Sequence, residues 1–526
     1  MKPFSLKGSL ALCVLSGLLV VLSFPNFLNK SLTPWGAPLV WIALVPFFLA
    51  LQQADLKRGA LLGWVFGLVQ FGGILYWIAF LREAQYLSVP AWAALVFGLS
   101  LFFLVFGLLL SWIRSRARGK LGFELGAPVL WVGLETIRAN WFFGGFPWDQ
   151  IGYACAPYPS FLFWTSFLGV EGLTFLIVGA SSLGARGLYL LWWEGASEGS
   201  RALVLKYFVI PAGLIALLGV VGGLEVHRTP LTAVGNVAIV QPNIDQSVKW
   251  NRAYAQDTYG RLARGTEAAA REKPDLILWP ETAAPSFLLW TPGDLAIVSG
   301  IVREAKTPIL VGCLDLLKTQ KLSQADYNAA VFFGENGKPL GAYRKRHLVP
   351  FGEYVPFQKY LFFLGPVVSD LGSFQSGPAY SHFETDRFSF SPVICYEAIF
   401  PEDIRRAVLA TDADVLVNIS NDAWYGRTAC AYQHAMMAVV RAAEERKPLF
   451  RCANTGISLA TDPLGRLLGQ TPLYQETLLT EPVLTAAGPT FYFRWGHWFA
   501  FFCLFLSGFL LITLVALPRK KEAAHA

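Results

Sequence analysis

Charge is what this sequence has least of. Asp, Glu, Lys and Arg together make up 15% of 526 residues, where an ordinary soluble domain carries about a quarter. The formal net charge of +7 is too small over that length to indicate nucleic acid, and no such partner is expected. Cysteine is sparse and scattered. Cys13, Cys155, Cys313, Cys395, Cys430, Cys452 and Cys503 are odd in number and form no CxxC pair, which argues against a disulfide framework and a zinc site but leaves room for one nucleophile. The first apolar run also lacks a small-x-small cleavage site; Phe24-Pro25-Asn26-Phe27 follows it instead. It therefore reads as a retained helix rather than a signal peptide. No internal repeat or low-complexity tract is evident.

What the chain has in excess is apolar surface: 54% hydrophobic residues, with 41 Phe and 18 Trp. These residues are grouped. Apolar runs lie at 9–28, 36–53, 59–81, 89–113, 121–138, 161–193, 207–226 and 497–517, and most reach the roughly 20 residues needed to cross a bilayer. The expected count is eight spans. The weakest is 121–138, whose Glu124, Glu135 and Arg138 should face protein or water rather than lipid. With the N-terminus in the cytoplasm, the inside segments hold Lys2, Lys7, Lys57, Arg58, Arg114, Arg116, Arg118, Lys120, Arg186, Arg201, Lys206, Arg519, Lys520 and Lys521. The outside loops hold only Lys30, Arg82, Arg138 and Arg228. That bias sets the orientation. It predicts a seven-helix transmembrane domain over 1–227 and an extracytoplasmic catalytic domain over 228–495, periplasmic in a two-membrane bacterium. Residues 496–526 then form a last transmembrane helix and a cytoplasmic tail.

Within 228–495 the pattern changes. Strand-like runs at 234–240, 275–279, 308–314, 327–333, 388–394, 414–419 and 449–453 alternate with helical patterns at 253–272 and 431–445, which indicates a layered α/β domain. Three stretches put polar groups beside buried-looking runs. In Trp279-Pro280-Glu281-Thr282-Ala283 a carboxylate sits at the carboxyl end of a strand, where open α/β sheets place their sites. In Arg344-Lys345-Arg346-His347 three basic residues run into the apolar turn Leu348-Val349-Pro350-Phe351-Gly352, so a lysine there would be partly desolvated. In Pro392-Val393-Ile394-Cys395-Tyr396-Glu397 a cysteine ends an apolar strand ahead of helix-like sequence, and a helix N-terminus and a lysine nearby are expected to favour its thiolate. Each has a blander alternative: a solvated glutamate, a solvated basic face, an inert buried thiol. Singly, the blander alternative is the better reading of the glutamate and of the lysine.

Jointly they are specific. A Glu, a Lys and a Cys in that order at strand ends resemble the nitrilase, or carbon–nitrogen hydrolase, superfamily, and the flanking apolar runs narrow the resemblance to its membrane branch, the apolipoprotein N-acyltransferase family. The resemblance spans nearly the whole chain. It rests on Phe146-Pro147-Trp148, Gln241-Pro242-Asn243-Ile244 with Lys249-Trp250, and Trp279-Pro280-Glu281-Thr282. It continues through Lys345-Arg346-His347-Leu348-Val349-Pro350-Phe351-Gly352-Glu353-Tyr354, Cys395-Tyr396-Glu397, Asn421-Asp422-Ala423-Trp424-Tyr425-Gly426, Gln433-His434 and Asn454-Thr455-Gly456. The sequence departs from the pattern at Arg427-Thr428-Ala429-Cys430, where small and acidic residues are expected, and at Cys452, where a small or β-branched residue is usual.

The resemblance implies a multi-span α-helical membrane domain plus a nitrilase-like αββα sandwich. It implies transfer of a fatty acyl chain from a phospholipid, typically phosphatidylethanolamine, to the N-terminal amine of a lipoprotein's diacylglyceryl cysteine. The route is a thioester acyl-enzyme, formed in the bacterial inner membrane without metal or cofactor. In that scheme Glu281 is the general base, Lys345 stabilises the oxyanion and Cys395 is the nucleophile. Glu353 orients the triad, Tyr396 and Glu397 shape the site, and Trp250, on an arm expected to be mobile, and Trp424 contact substrate. Phe287-Leu288-Leu289-Trp290 and Tyr360-Leu361-Phe362-Phe363-Leu364 are equally consistent with an acyl-chain path and with ordinary core. Two rivals share these residues: a membrane-tethered amidase or nitrilase acting on a soluble amide, and a scaffold with a degenerate domain.

Overall fold

In lipid every backbone polar group must find a partner within the protein, and an α-helix is the structure that lets a single continuous apolar run of about 20 residues do so by itself. A computed structural model of the chain describes residues 4–81, 86–116, 122–141, 144–194, 202, 205–318, 324–356 and 374–516. Lys2, Arg82, Arg118, Lys120, Arg201, Arg519, Lys520, Lys521 and the stretch from Tyr360 to Leu364 lie outside those residues. The chain divides into two units, one of Met1–Glu225 with His497–Ala526, the other of Val226–Gly496.

Among the described residues, five helices are long and apolar enough to cross a membrane by length and composition: Leu6–Ser23, Ser88–Arg116, Val170–Trp192, Lys206–Arg228 and Trp498–Ala516. The run 36–53 is a shorter apolar helix over Ala37–Leu51. The runs 59–81 and 121–138 form the helices Leu56–Ile74 and Gly122–Asn140. The run 161–193 is not one helix. Gly169 takes φ 68° and ψ −179°, a conformation open essentially to glycine alone, and it separates two single-turn helices from the span that starts at Val170. The helices Leu56–Ile74 and Ser88–Arg116 meet on small residues. A Cβ on Gly63 would run into the Phe103 carbonyl, and one on Gly107 into the Gly59 carbonyl, so the Gly59-x3-Gly63 spacing lets the backbones touch. Glu124, Glu135 and Arg138 are buried in protein as expected. Trp131 Nε1 donates to Glu135 at 3.0 Å, and Arg138 Nη1 donates to the Trp148 carbonyl at 2.6 Å.

The second unit is built from two sheets. The first contains β1 (Thr232–Gln241), β2 (Leu276–Leu278), β3 (Ala284–Phe287), β4 (Ile309–Lys318), β5 (Gln324–Phe333), β6 (Pro339–Arg344) and β13 (Thr477–Thr485). Its order is β13-β1-β2-β4-β5-β6, with β3 also on β4. The second runs β12-β11-β10-β9-β8-β7, from β7 (Phe383–Glu384), β8 (Ser389–Ile394), β9 (Val415–Ser420), β10 (Leu449–Ala453), β11 (Leu459–Thr461) and β12 (Leu467–Gln470). In each sheet the centre is parallel: β1-β2-β4 and β8-β9-β10. Central strands buried on both faces read as near-continuous apolar runs, and alternation decides which face each residue serves. Val237 and Ile239 of β1 join Leu276, Phe390, Ile394, Val417 and Phe450 in the core between the sheets. Ala238 and Val240 point the other way, into a core shared with Leu262, Val298 and Val302 of the helices Ala255–Ala270 and Pro292–Ala305. Helices Pro401–Thr411 and Cys430–Glu445 pack with the second sheet. The order is helix, sheet, sheet, helix.

Candidate active site

Parallel strands end their carboxyl edges together, and that edge gathers the polar residues. Glu281 follows β2, Cys395 follows β8, Asp422 follows β9 and Asn454 follows β10. Lys345 follows the antiparallel β6.

Glu281 is held at both ends. Its carbonyl accepts from Lys249 Nζ at 3.0 Å, and its Oε1 accepts from Asn328 Nδ2 at 2.7 Å. The other hydrogen of that amide serves Glu353 Oε1 at 3.0 Å. Lys345, 1% exposed, donates to Glu353 Oε1 at 2.8 Å and lies 3.8 Å from Glu281 Oε1. Glu353 Oε2 accepts from Val349 N at 2.8 Å, so the Val349-to-Glu353 turn folds back onto the lysine it follows. Burial pulls the Lys345 ammonium down, but Glu353, Glu281 and Cys395 outweigh it and hold the group above the ordinary lysine range. The three consecutive basic residues separate: Arg344 pairs with Asp315 at 2.6 Å, Lys345 turns inward, and Arg346 stacks 3.9 Å over the Tyr380 ring.

Cys395 opens the short 3-10 turn Cys395–Ile399 with φ 53°. A non-glycine residue there is strained, and a buried network fixes it. The Cys395 carbonyl accepts from His434 Nε2 at 3.1 Å and from Asn418 Nδ2 at 3.3 Å. Burial and the Arg451 guanidinium hold His434 below its ordinary value, against the pull of Asp422. His434 Nδ1, on the other side of the ring, lies 3.0 Å from Asp422 Oδ1 and 3.1 Å from Arg451 Nη2. Arg451 also pairs with Asp422 at 2.9 Å and bonds Asn418 Oδ1. Burial would raise the Asp422 carboxyl, but Arg451 and His434 keep it well below the carboxylate range.

The thiol itself corrects one expectation. Burial, reinforced by Glu281, pushes Cys395 up to about 12 against the pull of Lys345. A 3-10 turn of five residues offers no helix N-terminus, and the lysine charge is shared with two carboxylates. At neutral pH the sulfur is a thiol, and a base must take its proton during reaction. Cys395, Asp422 and His434 place donor atoms within 4.8 Å of one another. Asp422 is bound to Arg451 and His434 Nε2 to a carbonyl, so the set is poorly suited to a metal.

The other expected residues separate by role. Glu397, 2% exposed, accepts from Tyr343 Oη at 2.8 Å, Arg346 N at 2.7 Å, His347 N at 3.0 Å and Ile394 N at 2.6 Å, which makes it a brace between strand ends. The Tyr396 ring stands 5.0 Å from Phe400 and 6.0 Å from His347. Trp250 is 48% exposed, and the residues that lead to it are hydrogen-bonded to the body of the domain. Asn454 exchanges bonds of 2.9 and 2.8 Å with Ile244, Asn421 reaches Gln246 at 2.9 Å, and Lys249 is anchored as above. Trp424 is half-buried on the turn Asp422–Tyr425. Leu288 is core, whereas Trp290 is 46% exposed and bonds Asp315 at 3.1 Å. Cys430 is buried at the start of its helix, and Cys452 packs in the core between the sheets.

Sequence reasoning missed Asn328, Asn418, Arg451 and the role of Lys249. Their one signal was a polar residue inside an apolar strand: Asn328 in β5, Asn418 in β9, Arg451 in β10.

A two-sheet sandwich with a glutamate, a lysine and a cysteine at its strand ends defines a class, and the carbon-nitrogen hydrolase family matches residues 236–487. The apolipoprotein N-acyltransferase N-terminal domain matches residues 16–183. Apolipoprotein N-acyltransferase of Geobacter metallireducens is 36% identical, covering 97% of this chain and 95% of that protein. The Haemophilus influenzae enzyme is 33% identical over 97% and 95%, and that of Brucella melitensis 34% over 83% and 82%. The chain belongs to the apolipoprotein N-acyltransferase family and is a membrane protein.

Proposed function

We propose that this chain transfers a fatty acyl chain from a phospholipid to the N-terminal amine of a lipoprotein's diacylglyceryl cysteine, through a thioester on Cys395. The observation that carries this reading is the meeting of Glu281, Lys345 and a strained, half-buried Cys395 at one edge of the sandwich, in a chain that also bears the family's apolar helices. Glu281 takes the Sγ proton as sulfur bonds to the ester carbonyl carbon. Lys345 and the backbone N–H groups after Cys395 offset the oxyanion. Collapse breaks the C–O bond, and the proton on Glu281 passes to the departing lysophospholipid oxygen. The acceptor amine then gives its proton to Glu281 and attacks the thioester, and sulfur regains a proton as the C–S bond breaks. Phosphatidylethanolamine is the donor we assign. Eight spans anchor the chain in the bacterial inner membrane, with 228–495 in the periplasm, as the basic-residue bias supports. A soluble amide substrate would need none of these spans. The test is mass spectrometry of the purified chain mixed with phospholipid alone. An acyl mass on the Cys395 peptide with an equivalent of lysophospholipid, discharged by added lipopeptide, is expected. Absence of both refutes the reading.

A further inference from the structure

Lys345 is the expected cation of the site, yet its charge is already engaged by two carboxylates, at 2.8 and 3.8 Å. Formally Glu281, Glu353 and Lys345 leave an excess of one negative charge on side chains that are each at most 10% exposed. Negative charge must also develop on the acyl oxygen during transfer, and an uncompensated buried charge is costly.

A second lysine stands beside them. Lys249 ends the helix Gln246–Lys249, is 3% exposed, and donates to the Glu281 carbonyl at 3.0 Å. An ammonium has three donors. With one neutral carbonyl as its hydrogen-bond partner among the described residues, Lys249 keeps the other two for an acceptor that arrives. Burial lowers it to about 8, against the pull of Glu281 and Cys395. Those two groups, after β2 and β8, are the charged and titratable neighbours that act on it. On its own turn, Asp245 is occupied by Ser247 at 2.7 Å, and the neutral Gln246 meets Asn421. The residue that follows is the exposed Trp250.

We propose that Lys249 is a second cation of the acyl-transfer centre, balancing the negative excess of the Glu281–Lys345–Glu353 cluster and tying the Glu281 loop to the turn that carries Trp250. This rests on the acyltransferase reading above. The mechanism of that reading needs only Lys345; the charge count and the anchored loop require Lys249 as well.

The test measures lysophospholipid release and Cys395 acylation by the full-length chain in detergent micelles with phosphatidylethanolamine and no acceptor, so that the acceptor amine's own titration does not enter. If the wild-type chain does not acylate, the functional reading fails, not the role of Lys249. The wild-type rate is expected to fall as pH rises through about 8, where the ammonium loses its proton. Lys249→Arg keeps its charge, so its fall should move to higher pH whatever its absolute rate. Lys249→Met should be slower by about tenfold or more at neutral pH and show no fall there. A Lys249→Met chain that acylates at the wild-type rate, or a Lys249→Arg chain that keeps the wild-type alkaline fall, overturns the proposal. Should the Met variant fail to fold, the profile of the Arg variant decides.

Discussion

Glu353→Gln isolates how the base is kept ready. The carboxylate satisfies Lys345 and Asn328 with one oxygen and Val349 N with the other. All three are donors, and a glutamine has one acceptor oxygen, so its NH2 must face a donor. Lys345 then loses its nearer anion and closes on Glu281. At an effective dielectric of about 20, shortening that pair from 3.8 Å to about 2.8 Å deepens its attraction by roughly 1.5 kcal/mol. Glu281 must give up that attraction when it takes the thiol proton, a slowing of about tenfold. The stranded donor costs about another 1 kcal/mol of local order. Acyl-enzyme formation should therefore fall about ten- to a hundredfold, with phospholipid KM nearly unchanged because Lys345 meets the acyl oxygen only as negative charge develops on it. The assay is single-turnover lysophospholipid release without acceptor, beside a thermal melt of the same protein. A folded Glu353→Gln chain within twofold of the wild-type rate refutes the reasoning.

Cys395→Ala should abolish both phospholipid cleavage and acyl transfer, and Cys395→Ser should nearly do so, since a serine hydroxyl is harder still to ionise than a thiol already at about 12; Cys13→Ala, Cys313→Ala and Cys503→Ala should keep the chemistry, read by thioester mass and product formation. Lys345→Arg should be almost as inactive as Lys345→Ala in the same assay, because a 1% exposed site sized for an ammonium does not take a planar fork. Asp422 has a lowered folded-state pKa, so its stabilisation is present above its unfolded value and lost as pH falls through the folded one. Thermal melts against pH should show this acid loss shrinking in Arg451→Met, because Arg451 is what holds the folded-state carboxyl low against burial, and that variant melting lower at neutral pH, where unpairing Asp422 costs about 3–5 kcal/mol. A reporter active only in the cytoplasm, fused near Gly337, should be silent; activity there overturns the periplasmic assignment.

The legible part of the fold was the part whose sequence is dominated by one periodicity. β1, β4, β8, β9 and β10 stand where apolar runs end at polar or turn residues, and the helices Ala255–Ala270 and Cys430–Glu445 fall within two or three residues of their patterns. β13 was not legible. Its burial is intermediate along nearly its whole length, so Thr, Glu and Leu follow one another without the clean alternation of a half-buried strand. The split at Gly169 was hidden because apolar composition continues through it, while the break lies in the backbone angle. Of the site, the three chemical groups could be read because they sit in short strings. The groups that decide their state could not: Asn328 reaches Glu281 across 47 residues, and Arg451 reaches Asp422 across 29. The neutrality of Cys395 depends on burial and on carboxylates distant in sequence, which is why a local reading gave the opposite expectation.

The site is shared between the two sheets. Glu281, Asn328 and Lys345 come from β2, β5 and β6 of the first sheet; Cys395, Asn418 and Arg451 come from β8, β9 and β10 of the second. Acid–base chemistry and nucleophile are thus carried by different layers, and the distance between them is set by the side chains packed between the layers, Val237, Ile239, Leu278, Phe390, Ile394 and Val417 among them. Glu397 crosses that boundary. It belongs to the turn after β8, yet it takes the Tyr343 hydroxyl from β6 and the N–H groups of Arg346 and His347, which locks the backbone beside Lys345 to the backbone beside Cys395. A buried carboxylate with four donors from two layers is a poor substrate contact and a good spacer. Packing is dense enough that a lost methylene is felt as a shift or a void, and proton transfer needs hydrogen-bond reach. Small changes in the core between the sheets, or loss of the Glu397 brace, should therefore cost rate before they cost the fold.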